Sequence, residues 1–204
     1  MTRDGLIAEK LHADLGGVII GRKIIVIEQT GSTNDAILQI ANENPDEGLV
    51  VFGEHQTAGR GQRGNRWESA AGKGLWFSIL LRPKIDLASS PKLTEWAAEA
   101  ISGAIQSEFS LTPWIKPPND VQIDGRKVAG VLVEMRAQEK AAHLAIAGIG
   151  INVNQSREDF PKELQSGAIS LAMALGKQVD RQTFAVALLR KLDRTYRARF
   201  AHGS

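Results

Sequence analysis

The sequence predicts one folded domain in which α-helices and β-strands are combined. Its 204 residues can bury one substantial core, and no long stretch rich in proline, glycine and serine divides them. Short β-branched runs, which are typical of strands, are interspersed with longer segments whose apolar residues recur at helical spacing. Between two β-branched runs stands Asp124-Gly125, the strongest local signal for a β-hairpin. These observations together indicate a mixed α and β domain.

The individual elements can be assigned in chain order from the same patterns. Helices are predicted over residues 6–15, 36–41, 91–109 and 180–200, where apolar residues recur at helical spacing. Strands are predicted for the β-branched or apolar runs 23–27, 49–54, 75–81 and 144–153, and for the two arms of the hairpin. Lys116 closes the strand before the hairpin, and Lys127 begins its second arm. Gly148 and Gly150 interrupt the last strand, which indicates close approach of a ligand or another backbone.

The composition argues against several classes of protein. Its 25 basic and 23 acidic residues leave a net charge of +2, too small for nonspecific nucleic-acid binding by charge alone. The absence of cysteine excludes disulfides, thiolate metal sites and thioester chemistry on the chain. The N-terminus lacks the apolar core of a signal peptide, and no run reaches the roughly 20 apolar residues of a membrane span. The sequence therefore predicts a soluble, cytoplasmic protein with no membrane partner.

Residues 59–67, with the sequence GRGQRGNRW, form the most informative segment. Glycine lets backbone N–H groups approach a ligand closely, and arginine supplies planar, permanently charged groups that match phosphate or carboxylate oxygens. The segment lies between two predicted strands, a good location for a site. It therefore predicts an anion-binding loop. A solvated loop without function is the alternative, since glycine and arginine mixtures also occur there.

Two further polar segments have a functional and a purely structural interpretation. Ser32, Thr33 and Asn34 precede a predicted helix, where they can act as ordinary N-caps or contact a ligand. In the second segment, prolines 117 and 118 fix the backbone ahead of Asn119 and Asp120, so that these side chains are held at a set angle. The alternative is a rigid turn flanked by solvated lysines.

The chain resembles the catalytic domain of biotin protein ligases from about residue 24 to residue 200. Five blocks in the same order carry the resemblance: STN, EHQTAGRGQRGNRWES, GLWFSILLRP, KPPNDVQIDGRKVAGVLVE and GIGINVN. It implies an α+β fold with a mixed β-sheet backed by helices, like that of class II aminoacyl-tRNA synthetases, as a single catalytic domain over residues 1–204. The family's N-terminal helix-turn-helix is expected to be absent, so no direct DNA binding is expected. Its small C-terminal β-barrel is expected to be absent or truncated. The exposed sheet of the family is compatible with a homodimer.

The resemblance implies an ATP-dependent biotin protein ligase. Such an enzyme joins biotin to ATP as biotinyl-5′-AMP with release of pyrophosphate, then transfers biotin to one lysine of the biotin carboxyl carrier domain of a carboxylase. ATP, biotin and Mg²⁺ are the implied substrates and metal. The alternatives are a non-catalytic paralogue that binds biotin or the adenylate, and a lipoate ligase, whose glycine-rich loop differs from this one.

The resemblance also implies roles for individual residues. The biotin site consists of Ser32, Thr33, Asn34, Gln56, Gly59, Arg60, Lys127 and Gly130, with Trp76 or its neighbours along the wall. The ATP and adenylate site consists of Arg60, Gln62, Arg63, Asn65, Arg66, Trp67, Lys116, Asn119 and Asn152. The groups expected at the reacting atoms are Lys127, Lys116, Arg60 and Asp120. Lys127 contacts the biotin carboxyl and the bridging phosphate, Lys116 assists at the phosphates, Asn152 meets the adenine, and Asn119 and Asp120 suit Mg²⁺.

The chain departs from the family pattern at three positions. The family usually reads GRGRxGR in the loop, and Gln62 and Asn65 stand where its second and third arginines are expected. Losing one or two charged hydrogen bonds, each worth roughly 1.5 to 3 kcal/mol, predicts weaker retention of the adenylate. Arg63 and Arg66 are each displaced by one position and are candidates for compensation. Pro117 replaces a tryptophan, with no consequence that the sequence reveals.

Overall fold

The computed structural model describes residues 5–16, 18–41, 46–137 and 143–201. Its α-helices are α1 (Ala8–Ala13), α2 (Thr33–Ala41), α3 (Pro91–Phe109), α4 (Leu171–Leu175) and α5 (Arg181–Tyr196), which continues into a π-helical turn, Arg197–Ala201. Its strands are β1 (Lys23–Thr30), β2 (Leu49–Gln56), β3 (Gly74–Leu81), β4 (Trp114–Lys116), β5 (Asp120–Ile123), β6 (Arg126–Arg136) and β7 (Leu144–Asn152). Within these ranges, no helix has both the length and the apolar character needed to cross a membrane.

All seven strands join one mixed sheet in the order β1-β2-β3-β7-β6-β5-β4. β1 and β2 are parallel, with α2 as the connection between them, and every other neighbouring pair is antiparallel. The expected hairpin between β5 and β6 is present. Asp124 and Gly125 form its turn with φ values of 50° and 72°, which is the left-handed backbone that the Asp-Gly dipeptide favours.

Side chains alternate between the two faces of this sheet, and helices cover both. On one face, Leu75 and Phe77 belong to the large core that includes residues of α3 and α5. On the other face, Leu80 packs in a smaller cluster with Ala36 and Ile37 of α2. The prediction of a mixed sheet backed by helices is therefore confirmed. Because α2 is short, part of its face of the sheet is left for polar side chains.

Candidate active site

One cleft on the α2 face of the sheet collects residues from separate parts of the chain. It encloses about 440 Å³, including space open to solvent. Its walls come from the start of α2, the end of β2, the loop between β2 and β3, and strands β6 and β7. The lining residues are Ser32, Thr33, Asn34, Gln56, Arg60, Gly61, Gln62, Trp67, Asn119, Lys127, Gly130, Val131, Leu132, Gly148, Ile149 and Gly150.

Glycines form the floor of this cleft under the ring of Trp67. The register of β6 and β7 places Gly130 opposite Gly150. A Cβ atom at Gly150 would lie 2.4 Å from the Trp67 ring, and one at Gly130 would lie 2.9 Å from it. Trp67 can therefore lie against the sheet only because both positions lack side chains. Trp76, which the sequence analysis proposed for the wall, is fully buried, with its ring centroid 6.0 Å from that of Trp67.

A buried network of amides and hydroxyls forms one end of the cleft. The backbone N–H and the hydroxyl of Thr33 both donate to Gln56 Oε1, at 2.8 and 3.2 Å. Ser78 Oγ lies 2.8 Å from Thr33 Oγ1 and 2.5 Å from Asn34 Oδ1. Ser32 lines the same end, and all these residues are buried. Because the side chains at the start of α2 bond across to β2 and β3, they do more than an N-cap requires.

The other end of the cleft carries the ammonium group of Lys127. Its Nζ atom lies 2.6 Å from Asp120 Oδ1 and 5.2 Å from the centre of the Trp67 ring. The backbone of Lys127 is fixed on the side away from β5, because its N–H donates to the Gly167 carbonyl and its carbonyl accepts from Ile169 N. The cation is thus positioned by an anchored backbone, a carboxylate and an aromatic face.

The loop between β2 and β3 is closed by its own backbone hydrogen bonds. Gly61 N–H donates to the Asn65 carbonyl at 2.7 Å, and Trp67 N–H donates to the Gly59 carbonyl at 2.9 Å. Arg63 turns the chain at the tip with a left-handed φ of 58°. These bonds bring Trp67 back over the cleft and make the loop a compact cover at its rim.

The arginines of this loop have different surroundings. Arg60 points toward α2 and β6, where its guanidinium contacts Asp35 Oδ2 at 2.5 Å and Glu134 Oε2 at 3.2 Å. The hydrogen bond with Asp35, opposed by partial burial and supported by the charge of Glu134, raises the pKa of Arg60 above its usual value. Arg66 instead pairs with Glu68 at 3.0 Å on the surface.

The remaining predicted residues lie around the cleft. Asn119 lines it and donates through Nδ2 to the Val131 carbonyl at 3.1 Å. Asn152 is buried at the end of β7, where its Nδ2 donates to the Lys127 carbonyl at 3.3 Å. Lys116 lies on β4, the edge strand, opposite Asp120. The structure thus brings most of the predicted residues to the cleft. Predicted residues outside its lining are Gly59, Arg63, Asn65, Arg66, Trp76, Lys116, Asp120 and Asn152.

Sequence reasoning missed three polar residues next to the cleft. Ser78 bonds Thr33 and Asn34, whereas Asp35 and Glu134 bond the loop through Arg60. A signal for Ser78 existed, because it is the single polar side chain in the apolar strand GLWFSILL. A similar signal existed for Glu134, an acid within the apolar run of β6. Neither could be assigned to this cleft without the strand register.

Comparison with known proteins identifies the family. A model of the biotin/lipoate A/B protein ligase family matches residues 26–152, more than half of the chain. The chain belongs to this family. The five ordered sequence blocks thus identified the family correctly, and the matched region contains every strand of the sheet except the first residues of β1.

Several members of the family are similar over most of this chain. The bifunctional ligase/repressor BirA of Bacillus spizizenii is 40% identical over 185 residues, which are 91% of this chain and 57% of the relative. The biotin–[acetyl-CoA-carboxylase] ligase of Mycobacterium tuberculosis is 33% identical over 84% of this chain and 63% of its own length. This chain therefore spans about three fifths of the length of these curated relatives.

A solved structure of the family has the same fold. The biotin protein ligase from Aquifex aeolicus, determined in complex with biotin and ATP, superposes with a TM-score of 0.71 and 31% identity. The match covers 85% of this chain and 70% of the Aquifex chain. The fold that the resemblance implied is therefore confirmed.

Proposed function

We propose that the protein is an ATP-dependent biotin protein ligase. It activates biotin as biotinyl-5′-AMP with release of pyrophosphate and transfers biotin to a lysine of a biotin carboxyl carrier domain with release of AMP. One observation carries the proposal: a single cleft joins a buried amide and hydroxyl cluster to a fixed ammonium group under a glycine-arginine loop. The Aquifex relative, which is bound to biotin and ATP, supports the same pair of substrates here.

The buried end of the cleft suits the ureido ring of biotin. That ring carries a carbonyl acceptor and two N–H donors, and it needs partners in a pocket that is otherwise apolar. The start of α2 offers the Thr33 hydroxyl and the Asn34 amide, and Gln56 offers another amide, all held by hydrogen bonds within the buried network. Groups fixed in this way lose little conformational entropy on binding. Gly130, Gly150 and Trp67 supply the apolar slot between the two ends.

The opposite end suits the two anions that must react. In the first step the biotin carboxylate attacks the α-phosphate of ATP, so charge must be neutralised where the two groups meet. Lys127 is proposed to contact both, and its anchored backbone keeps the ammonium group at a fixed place. Gln62, at the cleft edge, and the loop N–H groups are proposed to cover the adenylate. Lys116 is proposed to reach the phosphates from the edge strand.

Asn119 and Asp120 fit a role in holding Mg²⁺. Asp120 Oδ1 is buried and, within the described residues, accepts no well-directed hydrogen bond, although Lys127 Nζ lies 2.6 Å away. The contact between them is therefore an ion pair with poor hydrogen-bond geometry. Mg²⁺ at nucleotide sites is commonly held by one or two protein oxygens together with phosphates and water. When bound, it would neutralise phosphate charge.

The proposal is tested by biotin-dependent exchange of labelled pyrophosphate into ATP, which reports the first step without the carrier protein. The chain should catalyse exchange, and Lys127→Ala should reduce it by at least about a hundredfold, since removing one fixed transition-state contact commonly has that effect. Lys177→Ala, at an exposed position outside the cleft, is the matched control. Biotin binding without exchange would favour the non-catalytic paralogue, and exchange with lipoate in place of biotin would favour a lipoate ligase.

A further inference from the structure

One oxygen of Glu134 receives hydrogen bonds from two different parts of the candidate site. Asn34 Nδ2, at the buried end of the cleft, donates to Glu134 Oε2 at 2.6 Å. Arg60 Nη2, from the glycine-arginine loop, donates to the same oxygen at 3.2 Å. The two donors are 26 residues apart in sequence, and Glu134 is on β6, far from both along the chain. The carboxylate therefore links them directly.

On the cleft side, Glu134 fixes the orientation of Asn34. Asn34 is 3% exposed, and its Oδ1 is held by Ser78 Oγ at 2.5 Å while its Nδ2 is held by Glu134. A terminal amide can rotate by half a turn and exchange its donor with its acceptor. With a hydroxyl on one side and a carboxylate on the other, one of these two orientations is selected. The polarity that Asn34 presents to the cleft thus depends on Glu134.

On the loop side, Glu134 shares Arg60 with Asp35. Arg60 Nη1 contacts Asp35, and Nη2 contacts Glu134, so the guanidinium is bound by both of its terminal nitrogens. The three side chains are 40 to 49% exposed, and an exposed ion pair alone would contribute little. Here, however, Arg60 is the polar attachment of a loop whose tip makes mainly local backbone bonds and which also contacts the sheet through the Trp67 ring. Releasing the attachment favours local opening of the loop.

We propose that Glu134 is a positioning residue that couples the cleft to its cover: it orients Asn34 for the ligand and holds the glycine-arginine loop closed through Arg60. The cleft half of this proposal rests on the proposed function, because it takes biotin as the ligand that Asn34 meets. The loop half is independent of the ligand. Removing the carboxylate should therefore loosen the loop even in the free protein and also weaken binding at the buried end.

The experiment combines native-state trypsin digestion with calorimetry of biotin binding on the full chain. Glu134→Gln removes the charge with little change of shape, and Glu134→Ala removes the whole contact. Glu99→Gln is the matched control, because Glu99 forms a comparable exposed pair with Arg199. The two side chains are 2.6 Å apart, and the pair lies away from the cleft. Cleavage after Arg60, Arg63 and Arg66 is followed by mass spectrometry of the fragments, and thermal unfolding reports the stability of each variant.

Cleavage in the loop of the free protein should be about threefold to tenfold faster in both Glu134 variants, since cleavage follows the population of the open loop. Their biotin dissociation constants should rise about tenfold, as loss of a charged hydrogen-bond acceptor predicts. Glu99→Gln should change neither quantity. If Glu134→Ala does not fold, Glu134→Asp, which keeps the charge but withdraws the oxygen, replaces it, with the same changes expected.

Three results would overturn the proposal: loop cleavage at the wild-type rate, an equal increase in Glu99→Gln, or faster loop cleavage with unchanged biotin affinity. The last would leave Glu134 as a loop attachment without coupling. If the unsubstituted protein binds no biotin at all, the proposed function fails. The digestion of the free protein then still decides whether Glu134 holds the loop.

Discussion

Replacing Gly148 by alanine tests whether the buried end of the cleft is as rigid as its hydrogen bonds indicate. Gly148 lies opposite Ser78 in the sheet, on the face that meets α2. An added Cβ would lie 2.4 Å from Asn34 Oδ1, whereas ordinary contact begins near 3.4 Å. Asn34 would therefore have to retreat by about 1 Å. It cannot retreat and keep its bonds to Ser78 at 2.5 Å and to Glu134 at 2.6 Å.

The magnitude follows from the contacts that are lost. The two hydrogen bonds, one buried and one part-buried, contribute about 1 kcal/mol each, and overpacking of a tight interior typically costs about 1 to 3 kcal/mol. We therefore expect Gly148→Ala to lower the free energy of unfolding by about 2 to 4 kcal/mol, measured by urea denaturation. Biotin affinity, measured by calorimetry under conditions where the variant is folded, should fall at least about tenfold because Asn34 is displaced.

Gly150→Ala is the matched control, two residues further along β7. Its Cβ would lie 2.4 Å from the Trp67 ring, but Trp67 belongs to the loop and is only half-buried, so we expect its ring to shift outward. This variant should lose less than about 1 kcal/mol of stability while its biotin affinity falls, because the clash is relieved at the rim and not in the interior. A Gly148→Ala protein with stability within about 0.5 kcal/mol of wild type and unchanged affinity would refute the reasoning.

Two further predictions concern the loop and the last long helix. Gln62 lines the cleft where the family usually has arginine, so Gln62→Arg should slow the release of biotinyl-5′-AMP about tenfold or more, measured by retention of labelled adenylate on filters; equal release rates would contradict this. Asp180 caps α5 by accepting from Thr183 N, so Asp180→Ala should lower the free energy of unfolding by about 1 kcal/mol at pH 7. The backbone hydrogen bond from Thr183 lowers the pKa of Asp180 below 3.8, so the stabilisation is complete well above pH 3.8 and is lost as the pH falls through the folded-state pKa. In urea titrations, the difference in free energy of unfolding between wild type and variant should therefore shrink in acid and stay constant from roughly pH 6 to 8. A difference that does not change with pH would show that the carboxylate is not responsible.

Local patterns predicted the elements because most of their signals are local. The Asp124-Gly125 turn needs only two residues with left-handed backbone, and α3 needs only its apolar spacing. The predicted ends of the helices and strands were less accurate. β1 and β2 continue to Thr30 and Gln56, beyond the predicted ends, because pairing between them extends the ladder past the β-branched residues. The short helix α4 was missed, since five residues carry too little periodicity.

The candidate site was predictable where its residues form contiguous motifs. Ser32, Thr33 and Asn34 are adjacent in sequence, and the loop residues follow one another. The resemblance of these sequence blocks to the family therefore located them. Ser78 and Glu134 were not predictable in this way. Pairing with distant strands decides which side chains of a strand face the ligand. A shift of one residue in this pairing would turn them to the other face. The alternation within β3 and β6 alone leaves that register open.

Lys127, which is proposed to contact the substrate anions, and Arg60 of the loop are both already paired with carboxylates of the protein. An unpaired charge at a partly buried site is costly, so these pairs hold the two cations in place in the free protein. When the substrate carboxylate and phosphate bind, they replace the protein carboxylates as partners of these cations or add a second anionic partner. The same pairing tempers affinity, because part of the attraction of each cation is already satisfied. Because the total charge is conserved when the carboxylate displaces pyrophosphate, these cations accelerate that step only to the extent that negative charge moves toward them in the transition state.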